Sequence, residues 1–348
     1  MNFMADDPLE RYGPQVRYAQ LGDEGQRRLL ASHVLICGCG ALGSVLANTL
    51  ARAGVGRLRI VDRDFVETAN LQRQVLFDEL DAQQSLPKAV AAAEKLRRIN
   101  SQIAVEPIVA DMDAGNLLAL CDGVDLIVDG TDNFEARFLL NDAALKLGVP
   151  WIYGGCLGSQ GQTMTIIPGR TPCLRCVLGE PPPPGSMPTC DTAGILAPII
   201  GVIASIQAME ALKILSGNAA AIQPYLSIVE LWDNTFRQVR LDQLREAGDC
   251  PACQRREFDW LSGTRASQAA VLCGRNAVQF RPPGMERVSL DELAIKLAEV
   301  GSVTRNAFLL RLAVGDYLLT IFPDGRAIIG GTSDPAIARS VYARYIGN

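Results

Sequence analysis

Two Cys-x-x-Cys pairs carry the most specific chemistry in this sequence: Cys173 with Cys176 inside TPCLRC, and Cys250 with Cys253 inside GDCPAC. Two such knuckles brought together make a tetrahedral thiolate cage, which suits Zn2+ because that ion takes four soft ligands without geometric demands of its own. Four protein ligands leave no position for water, so the site is expected to be structural. Disulfides and free thiols are the alternatives, and paired knuckles favour the metal. The cage would tie residue 173 to residue 250 and make the intervening stretch one unit.

A second constellation starts at Gly38, Gly40 and Gly43, with Ala41 between them, directly after the apolar run VLIC. A glycine-rich turn between a strand and a helix lets the backbone approach a phosphate, and the helix N-terminus attracts its charge. Asp62 ends the next apolar run, where a carboxylate can grip ribose hydroxyls. These features fit NAD as well as ATP. Asn70, Arg73 and Lys88 follow in the next loops; Arg takes phosphate bidentately and Lys as a point charge, which suits a triphosphate that loses pyrophosphate. Ordinary surface charge is the alternative for both cations. Asp132 and Asn133 follow another apolar run, where Asp132 is a natural Mg2+ ligand and either residue a natural helix N-cap.

The single histidine, His33, stands at the start of a strand-like run. Ser–His and Cys–His triads and histidine-ligated metals are therefore not expected, and catalysis falls to Cys, carboxylates, Arg and Lys. Cys190 follows the stiff proline-rich stretch 181–188 and precedes an apolar helix, whose N-terminus would favour a thiolate. Its alternative is a small packed thiol. Cys37, Cys39, Cys121 and Cys156 read as core thiols.

The elements that must position these groups alternate. Apolar runs predict strands over 33–38, 57–62, 103–110, 125–130 and 151–154, with helices over 42–53, 87–100 and 134–147 between them. That alternation argues for a doubly wound, mostly parallel α/β sheet of Rossmann type. An apolar stretch over 193–206 reads as a buried helix, too short to span a bilayer. Strands are expected over 225–232 and 236–241. Beyond residue 261 the character changes to a strand meander with helices over 290–300 and 337–345. The expected domains are 1–261, with the nucleotide and zinc sites, and a small α+β module over 262–348 of unassigned role.

Composition agrees with an ordinary globular chain: 348 residues, 48% hydrophobic and 20% charged. A net charge of −5 offers no footprint for nucleic acid or an anionic membrane. The first 32 residues are polar and charged throughout, so no signal peptide is expected, and ten cysteines then imply thiols and metal in the cytoplasm.

The order GCGALG, VDRD, NLQRQ, PK, GTDN, CLRC, TCDTAG and CPAC resembles the bacterial adenylyltransferases of the ThiF/MoeB/HesA type. These activate ubiquitin-like sulfur carrier proteins and are relatives of eukaryotic ubiquitin-activating enzymes. The resemblance covers about residues 9 to 256. It implies adenylation of the C-terminal glycine of a Gly-Gly carrier, serving thiazole or molybdopterin biosynthesis or related thiolation. ATP would sit at Asp62, Asn70, Arg73 and Lys88, with Asp132 on Mg2+ and Arg137 positioning the carrier tail. It also implies a homodimer, a cysteine desulfurase or other sulfur donor as a further partner, and, in the thiazole type, a covalent link through the residue matching Cys190. Two departures stand out. The usual Arg-Tyr-x-Arg-Gln segment, whose second Arg reaches the partner subunit's ATP site, reads Arg11-Tyr12-Gly13-Pro14-Gln15, so Arg11 or Arg17 would have to serve. Ala41 stands where many relatives have glycine. Rival readings are an NAD-dependent Rossmann oxidoreductase, disfavoured because the chain has no Tyr-x-x-x-Lys, and a non-catalytic carrier-binding protein.

Overall fold

The computed structural model describes residues 9–182, 193–246, 248–265, 269–272, 276–280 and 288–346. The chain divides near residue 266 into two compact units.

After short helical segments at Glu10–Tyr12 and Gly13–Val16, the first unit forms helix α1 (Gly22–Ala31) and then lays down, among its longer elements, β1 (His33–Cys37), α2 (Ala41–Ala53), β2 (Arg57–Asp62), α3 (Lys88–Ile99), β3 (Ala104–Val109), β4 (Leu126–Asp129), α4 (Phe134–Leu147) and β5 (Trp151–Leu157). Strand order in the sheet is β3-β2-β1-β4-β5, all parallel. The sheet continues antiparallel through β6 (Gln160–Ile166), β7 (Tyr225–Glu230) and β8 (Thr235–Arg240). The doubly wound parallel core is therefore as expected, with an antiparallel extension on one side.

The run VLIC is apolar at every position because both faces of β1 are covered. Val34 and Ile36 join the core formed with α2, α3 and the long helix α5 (Ala197–Leu215); Leu35 and Cys37 join the opposite core, formed with α4 and the cysteine knuckles. β3 is the edge strand, which tolerates Pro107 because that position has no N–H to give.

α5 corrects the expectation at 193–206. It has 19 residues and is apolar enough to cross a membrane by length and composition. Its packing decides otherwise for its inner face: Ile199, Ile200, Ile203, Ala204, Ala208 and Ala211 are buried in the first core, against α2, β5 and β6.

Among the described residues, the second unit forms one antiparallel six-stranded sheet with two helices of eight or more residues. Its strands are β9 (Ala269–Leu272), β10 (Ala277–Phe280), β11 (Ser302–Arg305), β12 (Leu310–Val314), β13 (Tyr317–Ile321) and β14 (Ala327–Gly330), in the order β11-β12-β13-β14-β10-β9. Helices α6 (Leu290–Leu297) and α7 (Pro335–Tyr345) supply Leu293, Leu297, Val341 and Tyr342 to a separate core.

Candidate functional site

In a doubly wound sheet the ligand crevice opens where the strand order reverses, at the carboxyl ends of the strands. Here that point lies between β1 and β4. Gly38 and Gly130 leave these strands side by side: Gly38 N donates to Val61 O at 2.8 Å and Gly130 N to Cys37 O at 2.8 Å. Gly38 has φ +84°, and a Cβ there would stand 2.8 Å from Gly130 O. A Cβ on Gly43 would overlap Gly38 O. Glycine is thus required at both positions, and the turn delivers Gly40 to the N-terminus of α2. Ala41 occupies the first helical position without distortion.

Asp62 closes this turn. Its Oδ2 accepts from Cys39 N at 2.6 Å and its Oδ1 from Asp64 N at 2.7 Å. Burial pushes its carboxyl up, against the lowering pull of Lys88. Lys88, the first residue of α3, is itself buried, and its Nζ lies 3.0 Å from Asp64 Oδ2. The strand-like pairing of Phe65 with Pro87 and the Lys88 N–Asp64 O bond at 2.9 Å fix that lysine beside the end of β2. Arg63, between the two aspartates, pairs with Asp111 at 3.1 Å. Burial works against its charge, but Asp111, Asp64 and Asp132 together raise its pKa.

Asn70, Arg73 and Gln74 stand on one helical turn, with Gln74 N donating to Asn70 O at 3.0 Å. Asn70 and Gln74 are buried, and the Oδ1 of one and the Oε1 of the other make no hydrogen bond among the described residues. Arg73 turns its Nη1 back to Ala69 O at 3.0 Å and forms no ion pair among the described residues.

After β4 the chain reaches Thr131, Asp132 and Asn133. Of the two expected caps, Asn133 is the one used: its Oδ1 accepts from Ala136 N at 2.8 Å. Asp132 is left exposed at the crevice edge. Arg137 lies one turn into α4 and is buried. Its guanidinium sits between the rings of Phe134 and Tyr153, 5.3 and 5.4 Å from their centroids, with Nη2 2.9 Å from Thr131 O and Nε 3.6 Å from Asp129 Oδ2. Gly155 on β5 lies close against it: a Cβ there would stand 3.1 Å from Tyr153 Oη and 3.3 Å from Arg137 Nη2.

The four knuckle cysteines converge as their spacing predicts. Cys173 Sγ lies 3.8 Å from Cys176 and 3.6 Å from Cys250, and Cys176 lies 3.4 Å from Cys253. All four sulfurs fall within 4.8 Å of one another. Zn–S bonds of about 2.3 Å in a tetrahedron put the sulfurs about 3.8 Å apart, so the donor set fits zinc. α4 braces the cage from the sheet side. Asn141 Oδ1 accepts from Leu174 N at 2.9 Å, and Asp142 Oδ2 from Trp260 N at 3.0 Å. Burial pushes the Asp142 carboxyl up to about 6, against these N–H donors.

Other expectations resolve as follows. His33 begins β1, its Nδ1 2.8 Å from Gly123 O, and burial lowers its pKa, so it stays a neutral strand-end residue. Cys37, Cys39 and Cys121 are buried core thiols; burial drives the thiol of Cys39 far up. Cys190 and most of the proline-rich stretch lie outside the described residues. Arg11 is held within the chain, donating to Ile99 O at 2.9 Å, whereas Arg17 is exposed.

Sequence reasoning passed over Asp64, Asp129, Gln74 and Gln207. Asp64 and Gln74 lay inside the motifs VDRD and NLQRQ. Gln207 was legible as a lone amide in an apolar helix; it is fully buried and donates to Asp129 O at 3.0 Å.

Comparison with known proteins bears on this arrangement. The family profile described as ThiF family matches residues 12–252. The sulfur carrier protein ThiS adenylyltransferase of Bacillus subtilis is 44% identical over 338 residues, which cover 97% of this chain and 99% of that one. The SAMP-activating enzyme E1 of Haloferax volcanii is 40% identical over 245 residues, 70% of this chain and 88% of that one. Among solved structures, E. coli MccB with ATP superposes with a TM-score of 0.59 at 22% identity, over 71% of this chain and 74% of its own, a likeness of fold alone.

Proposed function

The chain belongs to the ThiF family, and from that premise we propose that it is a nucleotidyltransferase that adenylates the C-terminal glycine of a ubiquitin-like sulfur carrier protein. The observation that carries the reading is the ring of groups at the ends of β1, β2 and β4. A glycine turn that admits no side chain is closed by Asp62, with Lys88 buried beside it and Arg73 on the next turn.

The tail carboxylate is its own nucleophile, so no general base is required. It attacks the α-phosphorus of ATP, one carboxylate oxygen forms the new P–O bond, and pyrophosphate leaves. The remaining work is positioning and charge neutralisation. We assign Gly38, Gly40, Ala41 and Gly43 to the phosphate approach, Asp62 to the ribose, and Asn70, Arg73 and Lys88 to the phosphates. Asp132, exposed at the crevice edge beside Asn133, would hold Mg2+, which supplies further charge neutralisation when bound. Arg137, held beside Gly155 one turn into α4, is assigned to positioning the carrier tail. The cage of Cys173, Cys176, Cys250 and Cys253 would hold structural zinc.

The resulting acyl adenylate would pass to sulfur from a cysteine desulfurase or other donor, with Cys190 as the assigned site of a covalent link. We further propose a cytoplasmic homodimer. Trp232 and Phe236, 78% and 65% exposed around the β7–β8 hairpin, support a face that a second copy covers.

ATP–pyrophosphate exchange tests the reading. Label should pass from pyrophosphate to ATP only when a carrier ending in Gly-Gly is added. Exchange without carrier, or none with several such carriers, would sink it.

A further inference from the structure

We propose that Gln74 is a polyphosphate-binding residue of the nucleotide site, donating from its Nε2 to a phosphate oxygen lodged at the glycine turn. The inference rests on the ATP reading above and adds a contact to that same site.

Three observations lead to it. Gln74 is 3% exposed, yet neither its donor Nε2 nor its acceptor Oε1 has a hydrogen-bond partner among the described residues. Buried amides are nearly always partnered, so one whose N–H has no protein acceptor marks a place where an acceptor belongs. The amide also has a direction. Gln74 Nε2 is the nearest atom to a Cβ built on Gly40, at 3.8 Å, and nothing else lies within 4 Å of that point. Gly40 immediately precedes α2, whose first backbone N–H groups point outward and draw anions. The third observation is register. Asn70, Arg73 and Gln74 stand at i, i+3 and i+4 of a single turn, so their side chains leave it on one side. Gln74 therefore stands between the arginine and the glycine turn, where a chain of phosphates would run.

A neutral donor has a purpose beside two cations. It fixes the orientation of a phosphate oxygen without adding charge that would hold back the leaving pyrophosphate.

The test uses the full-length chain and two near-isosteric variants. Gln74→Met removes the donor and keeps the packing volume; Gln74→Glu puts a carboxylate against the phosphates. Calorimetric titration with Mg·ATP, without carrier, should show about tenfold weaker binding for Gln74→Met, the loss of one hydrogen bond to a charged group, and a greater loss for Gln74→Glu. The rise in melting temperature caused by ATP should shrink in the same order. In exchange assays KM for ATP should rise while KM for the carrier holds. Wild-type ATP affinity in Gln74→Met overturns the proposal. So does a lowered melting temperature without nucleotide combined with an unchanged ATP-induced rise, because the amide would then be a packing group. If the wild type binds ATP yet exchanges with no carrier, the adenylation reading fails, while weakened binding in both variants still sustains the role of Gln74.

Discussion

Arg73 and Asp132 differ from the other charged groups of the crevice in forming no ion pair among the described residues. Lys88 is paired with Asp64, Arg63 with Asp111 and Arg137 with Asp129, whereas the hydrogen bonds found among the described residues take Arg73 to a backbone carbonyl and Asp132 to its neighbour Asn133. Groups without structural duty can be removed without unfolding the chain. Arg73→Ala and Asp132→Ala should each lower adenylate formation by roughly 100-fold, the usual loss for one electrostatic contact to a transition state. Their melting temperatures should stay near that of wild type. Exchange within a fewfold of wild type in either variant would remove that residue from the assignment. Asp142 is the opposite case, a buried carboxylate with a duty. Its carboxyl titrates at about 6, above the ordinary carboxylate value. The folded chain therefore holds this proton at pH values where the unfolded chain has lost it. The stabilisation is complete below the ordinary value and disappears as pH rises through about 6. Replacement by Asn, which cannot ionise, should flatten the pH dependence of melting temperature between about pH 4 and 6. An unchanged slope would show that another group dominates this window.

α4 is the element that joins the two sites. Asn133 caps it at the crevice, Arg137 follows one turn on, and Asn141 and Asp142 a turn later grip the segments that carry the knuckles. Zinc should therefore stabilise locally and steady the crevice at a distance. Purified protein should contain about one zinc per chain. Chelation should raise hydrogen exchange at 173–178 and 250–262 before the parallel strands, with a smaller rise at the start of α4. Folded, stable, zinc-free protein after mild purification would end the metal assignment. This helix was also the most legible element: Asn133 before it and Gly148 after it, at φ +74°, mark its ends as the sequence reading placed them. β1 was as clear, because burial on both faces writes a continuous apolar run. β6 was missed because Gln160, Gln162, Thr163 and Thr165 look like loop, yet Thr163 and Thr165 are buried by bonds to Tyr153 O and Glu210 Oε2. α5 was read too short because Glu210 and Lys213 seemed to end an apolar run; they instead pair with each other at 2.6 Å along the helix. The site divided along the same line. Spacing revealed the cage and the glycine turn, but not Asp64 and Asp129, whose part is to hold a cation that another strand or helix supplies.

At the scale of the whole chain, the two units have separate cores. The first sheet is flanked by two clusters of buried residues, and the second unit is built around its own. Every residue assigned here to nucleotide, tail or zinc, apart from Cys190 in the undescribed stretch, lies in the first unit, and so does most of the family match, 12–252. The chemistry should then be independent of the second sheet. A chain ending at residue 265 should keep its zinc, bind Mg·ATP with the affinity of the full chain, and support carrier-dependent exchange within a fewfold. The assay separates three roles for the rest. If ATP affinity is kept but the carrier's KM rises tenfold or more, the second unit holds the carrier. If both affinities are kept but thiolated carrier no longer forms with a sulfur donor, the unit serves the later transfer. Loss of ATP binding in a shortened chain that still melts cooperatively would contradict the independence of the cores, because a crevice built wholly from β1, β2, β4 and their loops should not need a sheet it shares no core residue with.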